Sequence, residues 1–219
     1  MLNTRILKPT DEARSTPLLI KNLLLSGQRY ERTQEIIYRD ISRYDYVTFN
    51  ERVCRLANAL TKAGVKAGDT VAMMDSHRYL ECMFAVPMLG AVMHTINVRL
   101  SPDQILYTMN HAEDVVVLVN SEFVPIYKAI ENDLTTVTTT ILLTDEESKV
   151  ADLPGLAGEY EQLLAAAEPT YEFADFDENS VATTFYTTGT TGNPKGVYFT
   201  HRQLVLHTLS QVASLSGLD

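Results

Sequence analysis

The sequence predicts a layered α/β sandwich built on a mainly parallel sheet. Strand-like and helix-like patterns alternate about four times before residue 145. The run VVVLVN at 115–120 is apolar and β-branched throughout, which is typical of a strand buried on both faces. The chain has 219 residues, of which 45% are hydrophobic and 21% charged, so it can bury a substantial core.

The first predicted elements are two helices and a strand. Thr16 before a proline indicates a capped helix start, followed by a helix over 17–27. Thr48 and Glu51 form a capping-box pattern ahead of the second helix. A Gly-Asp turn then leads into a strand over 70–75.

The middle of the chain repeats this alternation. Ser76 is expected to cap a helix, and Pro87 inside that helix predicts a kink, since an interior proline costs about 3 kcal/mol. A strand over 90–97 follows, and Ser101 with Gln104 gives another capping box. The elements expected next are a helix over 102–112, the strand at 115–120, a helix over 123–130 and a strand over 138–145.

The last third of the chain is predicted to hold a helix between loops within 154–180, then two strands over 181–187 and 196–200. Thr200 and Gln203 form a further capping box ahead of a helix over 201–215. Because a doubly wound sheet usually closes with more strands, we expect this chain to be the first part of a larger domain. Its expected divisions are an N-terminal segment over 1–47, an α/β lobe over 48–200 and a following helix over 201–219.

The formal net charge is −10, and eleven acidic residues against Lys149 within 145–178 account for all of it. We expect this segment to be a solvated acidic surface. An acidic chain without a basic patch argues against a nucleic-acid partner. The first fifteen residues mix charges early and have no apolar region, so we expect no signal peptide, and the longest apolar run, 82–93, is too short to span a bilayer. Cys54 and Cys82 have no metal-ligand spacing, so we expect a reduced, cytoplasmic protein.

The stretch YTTGTTGNPKG, residues 186–196, joins the last two predicted strands. Glycines allow backbone N–H groups to turn toward a ligand, and clustered N–H groups bind anions. The threonine hydroxyls add donors and can also bind Mg²⁺, while Lys195 supplies a cation suited to phosphate. The loop therefore predicts polyphosphate binding. The alternative is a hairpin loop that uses glycine and threonine only for turn geometry.

This loop is not the common phosphate loop of nucleoside triphosphatases. Gly189 has the required spacing to Lys195, but Pro194 precedes the lysine and Gly196 follows it, where that motif has glycine and a hydroxyl residue. A strand, rather than a helix, is also expected directly after the loop.

The motif YTTGTTGNPKGV resembles the phosphate loop of the adenylate-forming superfamily of acyl-CoA synthetases, luciferases and peptide-synthetase adenylation domains. The resemblance extends over nearly the whole chain, through 47–74, 89–119 and 175–202. The block LGAVMHTINVRLSPDQI has the form typical of medium- and long-chain fatty acyl-CoA ligases.

The resemblance implies activation of a fatty acid carboxylate by ATP to an acyl-adenylate, followed by transfer to CoA. The β- and γ-phosphates would be held by Thr187, Thr188, Gly189, Thr190, Thr191, Gly192 and Lys195. Thr187 would also bind Mg²⁺, so the implied cofactors are ATP, Mg²⁺ and CoA. The acidic metal ligand, the adenine-binding motifs and the domain with the catalytic lysine would lie downstream, so we expect no catalytic residue here.

Two other readings stay open beside the fatty acyl-CoA ligase. A related enzyme could adenylate an aryl or amino acid, or the chain could be a free-standing nucleotide-binding module. A homodimer is also left open. Outside the loop, we expect structural or solvated roles for His94, Arg99, His111, His201 and Arg202. Core positions are expected for Met73, Met74, Met83, Met88 and Met93.

Overall fold

The computed structural model describes residues 10–13, 16–146, 151–188 and 192–215. Within these residues, the strands are β1 (Glu35–Tyr38), β2 (Ser42–Asp45), β3 (Thr70–Met73), β4 (Val92–Thr95), β5 (Asp114–Asn120), β6 (Thr139–Leu143), β7 (Leu156–Glu159), β8 (Val181–Thr187) and β9 (Lys195–Thr200). The helices are α1 (Lys21–Tyr30), α2 (Tyr46–Lys62), α3 (Tyr79–Met88), α4 (Pro102–His111), α5 (Val124–Lys128), α6 (Tyr160–Ala165) and α7 (His201–Leu215). Single 3₁₀ turns at Ser121–Phe123 and Glu131–Asp133 flank α5.

Seven of the described strands form one mixed sheet in the order β7-β6-β5-β3-β4-β8-β9. All neighbours from β7 to β8 are parallel, and β8 pairs with β9 in the antiparallel direction. The other two strands, β1 and β2, form a separate hairpin. Parallel neighbours need crossover connections, and helices mostly supply them here. The predicted fold class is confirmed.

Helices cover both faces of the sheet because alternate residues of each strand point to opposite sides. On one face, α1, α2, α3 and α6 pack on side chains that include Val71, Met73 and Leu118. On the other face, α4 and α5 pack on a cluster that includes Ala72 and Val117. Of the methionines expected in the core, Met73, Met74, Met88 and Met93 are buried, whereas Met83 is partly buried.

Two of the three predicted capping boxes are confirmed. The Ser101 hydroxyl accepts the Gln104 N–H, and the Gln104 side chain accepts the Ser101 N–H, at the start of α4. The same reciprocal pair forms between Thr200 and Gln203 at the start of α7, over 2.9 and 3.2 Å. These helices begin where the sequence predicts them because the cap satisfies N–H groups that lack an intrahelical partner.

The prediction that Thr48 and Glu51 cap the second helix is wrong. Asp45 is the cap residue, and its carboxylate accepts the Thr48 N–H at 2.8 Å, so that α2 begins at Tyr46. An aspartate is at least as good a cap as a threonine, and as the last residue of β2 it lies at the point where the chain turns into α2.

Pro87 lies in the last turn of α3 and not in the helix interior, where the sequence predicted a kink. The Ser76 hydroxyl accepts the Arg78 N–H at 3.2 Å in the turn that leads into this helix. Pro87 is the next-to-last residue of α3, and the chain leaves the helix through Gly90, whose φ of +76° favours glycine. A proline in the last turn is compatible with helix termination.

The N-terminal clasp is the set of contacts that residues 18–21 make with the far end of the chain. The Leu18 N–H donates to the Glu178 carboxylate at 2.6 Å, and the Ile20 N–H donates to His201 Nδ1 at 3.3 Å. The Lys21 ammonium donates to the Phe173 carbonyl at 2.7 Å. The predicted cap at Thr16 is wrong because these N–H groups have tertiary partners and α1 begins only at Lys21.

The acidic segment is only in part the solvated surface that was expected. Glu161 pairs with the guanidinium groups of Arg52 and Arg78 at 2.9 Å each, and Asp145 pairs with Arg78 at 2.9 Å. The region predicted as one helix also contains strand β7 before the short α6. Several of its acids therefore hold this region onto α2 and α3.

His201 gives the fold a testable pH dependence. The ring is fully buried, and burial lowers its pKa to about 4. Below the usual histidine pKa of about 6.5, the unfolded chain binds a proton that the folded chain resists, so stability falls as the pH drops toward 4. We expect His201→Asn, which keeps an acceptor for the Ile20 N–H, to lose less stability than the wild type between pH 7 and pH 5 in urea titrations. Equal losses in the two proteins would contradict this assignment.

Candidate phosphate-binding site

The predicted phosphate loop connects the antiparallel pair β8 and β9. Since β8 runs parallel to β4, which runs parallel to β3, the loop leaves the sheet at the edge where the carboxyl ends of these strands meet. The connection after β3 runs through α3 on one face, and the connection after β4 runs through α4 on the other. Open α/β sheets bind ligands at such a switch point.

The structure brings four of the predicted site residues together at one end of the hairpin. Thr187 and Lys195 are cross-strand partners, and the Thr187 hydroxyl donates to the Lys195 carbonyl at 3.5 Å, a long hydrogen bond. Thr187, Thr188, Gly192 and Lys195 are all exposed. The remaining predicted contacts, Gly189, Thr190 and Thr191, lie outside the described residues.

Gly192 adopts a backbone conformation that favours glycine. Its φ is +90°, and an added Cβ would meet no atom within 4 Å in the described structure. The glycine is thus required by its backbone angle and not by crowding. The open space above it leaves room for a ligand to approach the backbone.

The charges at this end of the hairpin suit an anion. Across the described residues, Lys195 forms no ion pair, so its ammonium is available to a ligand. The Thr187 and Thr188 hydroxyls are oxygen donors of the kind that Mg²⁺ accepts. No group of three or more His, Cys, Asp or Glu side chains placed to hold a metal occurs in the described ranges.

Sequence reasoning missed the polar contacts beneath the loop. Tyr186 and His111 are joined at 2.7 Å between the hydroxyl and Nδ1. His94 Nδ1 lies 2.8 Å from the Asp114 carboxylate, and both side chains are almost fully buried. Burial raises the pKa of Asp114, and the neighbouring His94 opposes that rise. These partners are 75 and 20 residues apart in the sequence, and no local pattern indicates either pairing.

Structural contacts or solvent exposure are also found, as expected, for Arg99, His201 and Arg202. Arg99 is exposed, and its N–H donates to the Asn97 side chain at 3.1 Å. His201 belongs to the N-terminal clasp, and Arg202 forms an ion pair with Glu178.

A groove of about 990 Å³ lies near the carboxyl ends of β3 and β6, and it contains a network of paired charges. Glu81 is almost fully buried and accepts hydrogen bonds from Arg52, Tyr44 and Tyr160. Burial is the largest influence on Glu161 and opposes its ionisation, but the hydrogen bonds and positive charges of Arg52 and Arg78 together hold the pKa of Glu161 below its ordinary value. Arg52 of α2 thus bonds to both Glu81 of α3 and Glu161 of α6, so this network joins the three helices.

The fold and the loop define an AMP-binding enzyme. The family model for AMP-binding enzymes matches residues 25–217, which is most of the chain. The chain therefore belongs to the AMP-binding enzyme family, and the resemblance identified from the sequence is confirmed.

Curated relatives of the chain are CoA ligases. A medium-chain-fatty-acid–CoA ligase of Ectopseudomonas oleovorans is 38% identical over 200 residues, which cover 88% of this chain and 36% of that protein. A 3-methylmercaptopropionyl-CoA ligase of Ruegeria lacuscaerulensis is 35% identical over 214 residues, covering 93% and 40% of the two chains. The chain thus spans at most about two-fifths of the length of these relatives.

A solved structure confirms the fold. An anthranilate CoA ligase in complex with anthranoyl-AMP matches with a TM-score of 0.76 at 22% identity, over 85% of this chain and 36% of that one. Among the described residues, no helix combines the length and apolar character needed to cross a membrane.

Removing one partner of the buried pair should destabilise the protein strongly. We expect Asp114→Ala to lower the free energy of unfolding by about 3–5 kcal/mol, because His94 would stay buried without its carboxylate. Asp103→Ala on the exposed first turn of α4 is the control, with an expected loss below about 1 kcal/mol. Urea denaturation measures both. A loss at Asp114 no larger than that at Asp103 would contradict the importance of the pair.

Proposed function

We propose that the loop at 186–196 binds the polyphosphate of ATP. The observation that carries the proposal is the convergence of four residues at one end of a hairpin: exposed Thr187, exposed Thr188, left-handed Gly192, and Lys195, which has no ion-pair partner among the described residues. Together with Gly189, Thr190 and Thr191, these residues would hold the β- and γ-phosphates. The Thr187 hydroxyl would be a ligand of Mg²⁺, which would help to neutralise the phosphate charge.

We further propose the reaction that this site serves. In a longer protein that contains this chain, a fatty acid carboxylate would attack the α-phosphorus of ATP, forming an acyl-adenylate and releasing pyrophosphate. The thiol of CoA would then displace AMP. Lys195 and the loop N–H groups would stabilise the negative charge that builds up on the departing pyrophosphate.

Family membership and the names of the relatives support a CoA ligase more strongly than they support one acyl substrate. One relative is named for a medium-chain fatty acid and another for 3-methylmercaptopropionate. We favour a fatty acid of medium or long chain as the substrate because of the block at 89–105. We also propose that the enzyme acts in the cytoplasm. We also retain the proposed division into an N-terminal segment, an α/β lobe and a following helix.

The role of Lys195 can be tested in this chain directly. Losing one charge-assisted contact to phosphate costs about 1.5–3 kcal/mol, so Lys195→Ala should weaken pyrophosphate binding about ten- to a hundredfold in calorimetric titrations. The melting temperature should hardly change, because the side chain is exposed.

Lys66→Ala is the matched control. Lys66 is also exposed, but it lies in the turn before β3, at the opposite edge of the sheet from the loop. The Lys66→Ala variant should bind pyrophosphate as tightly as the wild type does. Unfolding of the Lys195 variant, with normal binding by its folded fraction, would mean that this lysine supports the hairpin and not a ligand.

The reaction can be tested with a panel of acids. A longer protein containing this chain should release AMP fastest with a medium- or long-chain fatty acid plus ATP and CoA. This chain by itself should give only background exchange of labelled pyrophosphate into ATP, because the groups that complete adenylation are expected downstream.

Preference for an aryl or amino acid would contradict the fatty-acid part of the proposal and leave adenylation standing. Exchange above background by the chain itself would mean that it contains catalytic groups that we have assigned elsewhere. Nucleotide binding by the longer protein without adenylation of any acid would favour a nucleotide-binding module.

A further inference from the structure

Tyr186 lies at the boundary between the buried sheet and the exposed loop. It directly precedes Thr187, yet it is only 6% exposed, whereas Thr187 is exposed. The two side chains point to opposite sides because successive strand residues alternate. One residue of β8 thus contacts the interior while the next faces the ligand side.

The Tyr186 ring, which precedes the loop, lies beside the backbone at the loop's other end. Its cross-strand partner is Gly196, which directly follows Lys195. A Cβ on Gly196 would lie 3.4 Å from Cε1 and Cζ of the Tyr186 ring, closer than most such contacts. The ring therefore packs over the backbone where β9 begins, and a shift of Tyr186 would displace the residues on either side of the loop.

Two histidines hold the Tyr186 side chain from below. The centroids of its ring and the His94 ring are 5.2 Å apart, and its hydroxyl lies 2.7 Å from His111 Nδ1. Burial, followed by the neighbouring Tyr198, raises the pKa of Tyr186, and the hydroxyl is hydrogen-bonded to His111. A buried hydroxyl is costly without such a partner.

Both histidines are themselves fixed. His94 is paired with Asp114, and the Asp114 carbonyl accepts a hydrogen bond from the Thr136 hydroxyl at 2.8 Å. His111 is the last residue of α4, the helix whose first turn is closed by a capping box. The hydrogen bond between Tyr186 and His111 therefore ends on a helix whose first turn is fixed by its cap.

We propose that Tyr186 and His111 are positioning residues for the phosphate loop, acting through their mutual hydrogen bond. This inference rests on the proposed polyphosphate site, since it says how that site is kept in shape. The described parts of the loop are exposed and have few contacts of their own, so their placement depends on the strand ends. A binding constellation needs a supporting layer of this kind to hold its geometry before the ligand arrives.

The test uses Tyr186→Phe and His111→Phe, which each remove the hydrogen bond and keep a ring. Two quantities are measured on the chain: amide hydrogen exchange at 187, 188 and 195–197 by NMR, and affinity for inorganic pyrophosphate by calorimetry. Each variant should exchange faster at these amides and bind about three- to tenfold more weakly, as expected for the loss of one hydrogen bond. The double variant should be no weaker than either single variant, because both remove the same bond.

Two further variants separate positioning from simple loss of stability. His111→Asn keeps a hydrogen-bonding atom near the place of Nδ1 and should bind within about twofold of the wild type. Tyr160→Phe removes another buried, hydrogen-bonded hydroxyl, which donates to Glu81 at 2.5 Å on the opposite face of the sheet. It should lower stability and leave both loop exchange and pyrophosphate affinity unchanged.

The outcomes for the inference and for the proposed function are distinct. If the wild type binds pyrophosphate and the Tyr186 and His111 variants match it in either measurement, the positioning role is overturned. If the wild type does not bind pyrophosphate, the proposed site fails, and hydrogen exchange alone decides whether this bond fixes the loop. A Tyr160 variant that disturbs the loop equally would also overturn the inference.

Discussion

The parallel pairing of β3, β4 and β8 is the constraint on which the rest of this structure depends. Parallel neighbours place their carboxyl ends at one edge, so the chain segments that follow these strands meet there. Parallel strands also need helical crossovers, which cover both faces and require strands that are buried throughout. The runs TVAM and VVVLV meet this requirement, and the loop after β8 leaves the sheet at the shared edge.

The sequence predicted the parts of the fold that are governed by local chemistry. Capping at Ser101 and Thr200 depends on residues three positions apart, and the predicted starts of α4 and α7 agree with the structure. The cap of α2 was misassigned because Asp45 and Thr48 both have capping side chains, and only the preceding hairpin decides between them. That hairpin, β1 with β2, was not predicted. Its strands are only four residues long, contain no fully buried residue and lack a clear apolar alternation.

The candidate site shows the same division between local and long-range information. The loop could be recognised from the sequence alone, because glycine backbone, threonine hydroxyls and a lysine ammonium have the same chemistry wherever the fold places them. The support beneath the loop could not be predicted. His111 and Tyr186 are 75 residues apart in the sequence, and only the order of the strands brings them together. The acidic segment was misjudged for a related reason, since the arginines that pair with Glu161 lie about a hundred residues earlier.

The N-terminal clasp bears on the order in which the molecule is assembled. Leu18 and Ile20 find their partners 160 and 181 residues further along the chain. During synthesis, the parallel strands from β3 to β6 are complete long before Glu178 and His201 leave the ribosome. The segment before α1 must therefore wait without its partners while the centre of the sheet forms. Contacts of such long range make closing the clasp a late, slow step, so residues 18–21 are among the last of the described residues to be fixed in place.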